Sequence, residues 1–141
     1  MATTRTAVAH WEGSLFEGAG KVALESSGIG TYDVSWPARS EEPNGKTSPE
    51  ELIAAAHSSC FNMALSLVLD KAGTPPTSLD TTAKVTFQPG TGITGSALSV
   101  VGNVPGITAE QFEEAAQDAK ANCPVSQALK IPITLETSFT G

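Results

Sequence analysis

Arginine is scarce in this chain. Only Arg5 and Arg39 occur beside six lysines, so a site that needs a guanidinium has two candidates. Basic charge is short altogether, and the formal net charge is −7. That argues against nucleic acid and anionic membrane surfaces as partners, because both are held by basic patches. Cysteine is limited to Cys60 and Cys123. With two histidines and no zinc-ligand spacing, the chain offers no structural metal site. It also needs no disulfide framework, since 141 residues can bury a real core. Long apolar runs are missing too. "MATTRTAVAHWEG" lacks the continuous apolar core of a secretory signal. No uninterrupted apolar run reaches the ~20 residues that a bilayer requires. We therefore expect a cytoplasmic protein with no membrane partner, where thiols are kept reduced. The two cysteines are then two free thiols or a pair that cycles.

No internal repeat breaks the chain, and we read residues 1–141 as one domain. "TAVAHWEG" and "GKVALES" read as two strands, and "VSW" adds a short third. "PARSEEPNGKTSPE" reads as an irregular polar loop. A well-signalled helix follows. Ser48 fits its N-cap, Pro49 its first position, and Glu51 the reciprocal capping-box position. Ile53, Ala56, Cys60, Met63, Ala64 and Leu67 recur on one side. The other side is mild, and no formal charge lies between Glu51 and Asp70. Such a helix should be enclosed on nearly all sides. "LDTTAKVTF" alternates, with Leu79, Thr81, Ala83, Val85 and Phe87 on one face. "ITGSALSVVGNV" is its antiparallel partner. Thr108 and Gln111 make a second capping box before "AEQFEEAAQDAKAN". Pro124 stops that helix and starts a short turn, "PVSQAL". "IPITLETSF" closes the chain as a strand with Ile131, Ile133, Leu135 and Phe139 on one face. This order makes an α+β fold with mainly antiparallel pairing. One small sheet cannot cover so apolar a helix, so we expect a homodimer.

Two readings of Cys60 stand at this point. Mid-helix burial raises a thiol's pKa and suits an inert core cysteine. Reactivity would require a nearby cation, and arginine stays charged when desolvated. Cys123 precedes a helical turn whose free amides favour a thiolate, so local physics makes it the easier thiol to ionise. Glu51 has a capping role, which leaves Glu50 free to hold an arginine. Arg39, in the loop before the helix, is either a solvated charge or the cation that Cys60 lacks. His57 lies one helical turn before Cys60. A Cys–His hydrolase would also need an orienting Asp or Asn and an oxyanion hole. Neither is signalled, which favours a packed or interface histidine. A binding or scaffold protein with packed cysteines is the other alternative.

"TSPEELIAAAHSSCFNMALSL" and "NCPVSQAL" closely resemble the two cysteine motifs of the OsmC/Ohr family of osmotically inducible and organic hydroperoxide resistance proteins. "AHWEG" and "PGITAEQF" fit as well, and the His57 form resembles the OsmC branch. The resemblance runs essentially end to end. It implies a thiol-dependent peroxidase that reduces organic hydroperoxides without a cofactor. It implies an intertwined homodimer, with sheets packed around a long central helix that carries Cys60. The family's peroxidatic cysteine falls on Cys60, its resolving cysteine on Cys123, its glutamate on Glu50 and its arginine on Arg39. It also implies a dithiol reductant, such as a dihydrolipoyl group on a carrier protein. Ten residues of straight helix separate Glu50 from Cys60 by about 15 Å. Either the helix bends or one site is assembled from two chains, and we expect the composite site.

Overall fold

Alternation and glycine placement explain the first strands. β1 (Val8–Glu12), β2 (Ala19–Ala23) and β3 (Thr31–Val34) form an antiparallel meander in that order. Gly13, at φ +92°, turns the chain after β1 in a region that favours glycine. Gly20 faces Trp11 across the ladder, and a Cβ there would lie 2.6 Å from the indole ring. The third strand sits earlier than "VSW", because Trp36 already belongs to a helix. The computed structural model describes residues 1–141. It divides into two compact units, Met1–Leu52 and Ile53–Gly141.

The polar stretch after β3 is not all loop. Trp36–Ser40 forms a short helix, α1, which corrects the irregular-loop expectation. Ser35 caps it, its hydroxyl accepting from the Ala38 amide at 3.2 Å, and Pro37 lies in the first turn. Proline and a capping serine are start signals, here masked by the charges that follow. α2 then runs unbroken from Pro49 to Lys71. Half of the expected capping box is present: the Glu51 amide donates to Ser48 Oγ at 3.2 Å. The Glu51 carboxylate instead accepts from the Thr47 hydroxyl at 2.6 Å.

In the second unit, β4 (Ser78–Gln88), β5 (Gly92–Asn103) and β6 (Ile133–Thr140) form a sheet with β5 in the middle. β4 and β5 are antiparallel, as expected. β5 and β6 are parallel. A parallel pair requires a crossover, supplied here by α3 (Ala109–Asn122) and α4 (Pro124–Ala128). The inward faces of β4 and β6 are those read from alternation, with every second residue at least half-buried. The Thr108–Gln111 capping box is complete. The core joins Phe61, Leu65 and Leu69 of α2 to Leu98 and Val100 of β5, and to Phe112, Ala116 and Ala119 of α3. Gly102 makes room for the Phe112 ring, which stacks on Phe139 with centroids 5.3 Å apart.

The buried stripe of α2 is His57, Phe61, Leu65 and Leu69. It is not the stripe expected from spacing: Met63 is 74% exposed and Leu67 54% exposed in the single chain. Both sides of α2 repeat at helical period, so periodicity cannot choose which one faces the sheet. By length and composition α2 could cross a bilayer, against the expectation that no run is long enough. His57, Ser58, Ser59 and Asn62 interrupt a run counted residue by residue, yet they barely lower an average over the helix.

Candidate active site

The four expected site residues fall into two pairs, each made within one unit. The first lies where α1 ends and α2 begins. Arg39 is the last-turn base of α1, and Glu50 is in the first turn of α2. Arg39 Nε donates to both carboxylate oxygens of Glu50 at 3.1 Å, and a terminal guanidinium nitrogen donates to Oε2 at 2.9 Å. The Glu50 side chain is only 8% exposed. A forked, charge-assisted contact to a buried carboxylate fixes the plane of the guanidinium. Glu50 therefore has the arginine-holding role expected from the division of labour with Glu51.

The second pair is the two thiols. Both cysteines are free; Cys60 is half-buried and Cys123 fully buried. Cys60 sits on α2, and Cys123 caps the end of α3 and the start of α4. The two side chains lie close enough for each to shift the other's ionisation. Burial pushes the Cys60 thiol up, the contact with Cys123 adds to that, and the Val125 amide partly offsets both. Burial also pushes Cys123 up. The Cys60 thiol, the Ser126 amide and hydroxyl, and the Val125 amide outweigh it, so Cys123 ends below the usual thiol range. Pro124 explains these donors. It opens α4 without an N–H of its own, which leaves the Val125 and Ser126 amides unpaired in the first helical turn, near enough to the sulfur to favour its thiolate. Local electrostatics thus orders the two thiols as the sequence suggested.

His57 is fully buried between two hydroxyls. Nδ1 lies 2.7 Å from Ser96 Oγ, and Nε2 lies 2.8 Å from Ser126 Oγ. Burial pushes the imidazole below its ordinary range, so the ring is neutral. With both nitrogens on serines, neither is aimed at a sulfur. That removes the geometric basis of the Cys–His hydrolase. His57 is the packed histidine that was expected, with a hydrogen-bonded setting that was not.

Beside Cys60 lies a groove of about 680 Å³, lined by Met63, Ala64, Leu67, Val68 and Pro124 among others. Lys71, Asp118 and Asn122 bring polar groups to it. An apolar groove with a few polar groups and a sulfur in its wall has the makings of a small-molecule site.

A family model described as OsmC-like protein matches residues 42–138. The chain belongs to the OsmC family. It is 50% identical to the Peroxiredoxin OsmC of Escherichia coli (strain K12) over 131 residues, covering 91% of this chain and 91% of that protein. It is 33% identical to the Organic hydroperoxide resistance protein OhrA of Bacillus subtilis (strain 168) over 127 residues, covering 84% of this chain and 87% of that protein. Its fold is similar to the crystal structure of an organic hydroperoxide resistance protein OsmC from Legionella pneumophila. The TM-score is 0.70 at 22% identity, over 99% of this chain and 100% of that one. The end-to-end OsmC/Ohr resemblance and the α+β fold are therefore as expected.

Sequence reasoning passed over two residues of this OsmC-family chain. Ser126 lies three positions after Cys123, at the first turn of α4, where a hydroxyl can turn back on the preceding sulfur. That local signal was legible in "CPVSQ". Ser96 had no such signal, because its partner His57 is 39 residues away.

Proposed function

We propose that this chain is a thiol peroxidase that reduces organic hydroperoxides to alcohols in defence against oxidative stress. The carrying observation is the closeness of the half-buried Cys60 to the buried Cys123, each thiol shifting the other's ionisation, with an apolar groove at Cys60. The Cys60 thiolate attacks the terminal peroxide oxygen. The O–O bond breaks, the alcohol leaves with a proton, and Cys60 becomes a sulfenic acid. Cys123 then displaces hydroxide from that sulfur, and the disulfide forms. A dithiol returns both cysteines by exchange. A lipoyl-bearing carrier protein is the reductant that family resemblance suggests. The groove favours alkyl over hydrogen peroxide, by about 0.8 kcal/mol per buried methylene.

Cys60 nevertheless needs a cation, because burial holds it protonated. We assign that role to Arg39, held by Glu50, in a homodimer whose two chains share each site. An unbroken α2 supports the shared arrangement. So does the exposed apolar side of α2, where Met63 and Leu67 lie next to the groove. The working domain is the whole chain, and the cytoplasm, where dithiol reductants operate, is its expected setting.

Two measurements test this. Reduced protein mixed with one equivalent of cumene hydroperoxide should lose two free thiols per chain and yield a peptide linking Cys60 to Cys123. Unchanged thiols would favour a scaffold with packed cysteines. Separately, Met63→Glu combined with Leu67→Glu should convert a dimer to a monomer in sedimentation velocity, because two carboxylates would otherwise be buried without partners. A dimer that survives both charges would place the interface elsewhere.

A further inference from the structure

The hydroxyl of Ser126 lies 2.8 Å from His57 Nε2, in the first turn of the helix that Cys123 opens, where it lowers the pKa of that thiol, and proton counting makes the direction of these contacts matter. A serine hydroxyl has one proton to give and two lone pairs to receive with. The neutral ring of His57 has one N–H and one bare nitrogen. If the proton sits on Nε2, the ring donates to Ser126 Oγ and the Ser126 proton is free for the Cys123 sulfur. Nδ1 then accepts from Ser96. If the proton sits on Nδ1, Ser126 must spend its proton on Nε2, and the sulfur loses a donor. Ser96 is 2% exposed and Ser126 7% exposed, so water offers little alternative to either.

We infer that His57, oriented by Ser96, is a positioning residue that holds the Ser126 hydroxyl as a donor to Cys123, and that this contact speeds attack of Cys123 on the oxidised Cys60. The inference rests on Cys123 being the resolving thiol. In that step the Cys123 sulfur gives up its proton and attacks the Cys60 sulfenic sulfur. The S–S bond forms, the S–O bond breaks, and hydroxide takes the proton to leave as water. Cys123 is oxidised, the sulfenic sulfur is reduced, and no further reactant is needed. Ser126 acts before the attack, when the negative charge is on Cys123. The first step, at Cys60, does not use it. Besides the Ser126 hydroxyl, the groups acting on Cys123 are Cys60 from α2 and the Val125 and Ser126 amides from α4. The charged side chains of the adjoining groove are Lys71 from α2 and Asp118 from α3, and no variant below touches them.

The test is rapid-quench mass spectrometry of the full-length protein after one equivalent of cumene hydroperoxide, with dimedone trapping of sulfenic acid, at several pH values. Ser126→Ala should form the Cys60 sulfenic acid at the wild-type rate and convert it to disulfide about tenfold more slowly at neutral pH. The pH of half-maximal resolution should rise by about one unit. His57→Leu should behave alike. His57→Gln, whose amide can still donate to Ser126, should restore most of the rate. Wild-type resolution with an unmoved pH profile in Ser126→Ala overturns the inference. So does equal slowing of both steps, which would mean a general packing defect. If the wild type never forms the intramolecular disulfide, the peroxidase reading beneath it fails, and this inference fails with it.

Discussion

A Cys60→Ser variant is expected to lose at least about a thousandfold in kcat/KM for cumene hydroperoxide, roughly 4 kcal/mol of transition-state stabilisation. A serine hydroxyl at this position has the same place in α2, yet its oxygen does not ionise at neutral pH and does not form a stable oxidised partner for Cys123. The fold should survive, because Cys60 is only half-buried and the core stripe of α2 runs through His57, Phe61, Leu65 and Leu69. Circular dichroism and the urea midpoint should therefore stay close to wild type while activity disappears. Cys123→Ser should differ in kind. It should consume one equivalent of peroxide quickly, leave a trappable sulfenic acid on Cys60, and turn over slowly because that acid must wait for an external thiol. Sulfenic acid found on Cys123 of a Cys60→Ser protein would reverse the roles of the two sulfurs. The polar groups around Cys123 make that outcome worth measuring, since they favour its thiolate in the isolated chain.

What could be read from the sequence, and what could not, follows from the range of each interaction. The β4 and β6 faces were legible because a period of two belongs to the strand itself, and one face of each is at least half-buried. The Thr108–Gln111 box was legible because all its partners lie within four residues. The inward side of α2 was not. Phe61, Leu65 and Leu69 carry the same period as Met63 and Leu67, and only the sheet decides which stripe it meets. Parallel pairing of β5 with β6 was hidden too, because register between residues as far apart in sequence as Ser96 and Ile133 leaves no local mark. At the site, Cys60, Cys123, Arg39 and Glu50 stood out by residue type and motif. The pairing of Glu50 with Arg39 was expected as well; the short helix that presents Arg39 was not, because α1 was masked by the charged stretch that follows it. The Ser96–His57–Ser126 chain required three elements to be brought together.

Replacing Arg39 should have two separable effects. Arg39→Met should lower kcat/KM by about a hundredfold or more at neutral pH: burial holds the Cys60 thiol up, and on the proposed assignment the variant removes the cation that favours its thiolate. The sign of the pH dependence follows directly. Without the cation the Cys60 thiol ionises at higher pH, so the loss should shrink as pH rises toward 10 and the thiolate forms unaided. The same substitution should destabilise the fold by about 3 kcal/mol, since it strands the buried carboxylate of Glu50. The double variant Arg39→Met with Glu50→Gln tells the two effects apart. Its urea midpoint should return most of the way to wild type, as no buried charge remains unpaired, while its activity should stay as low as in Arg39→Met. Arg39→Lys should recover some stability but little activity, because an ammonium cannot make the forked contact that fixes the plane of the guanidinium. Activity that recovers in step with stability across the three variants would mean that Arg39 serves Glu50 and the fold alone, and that Cys60 draws its charge stabilisation from somewhere else.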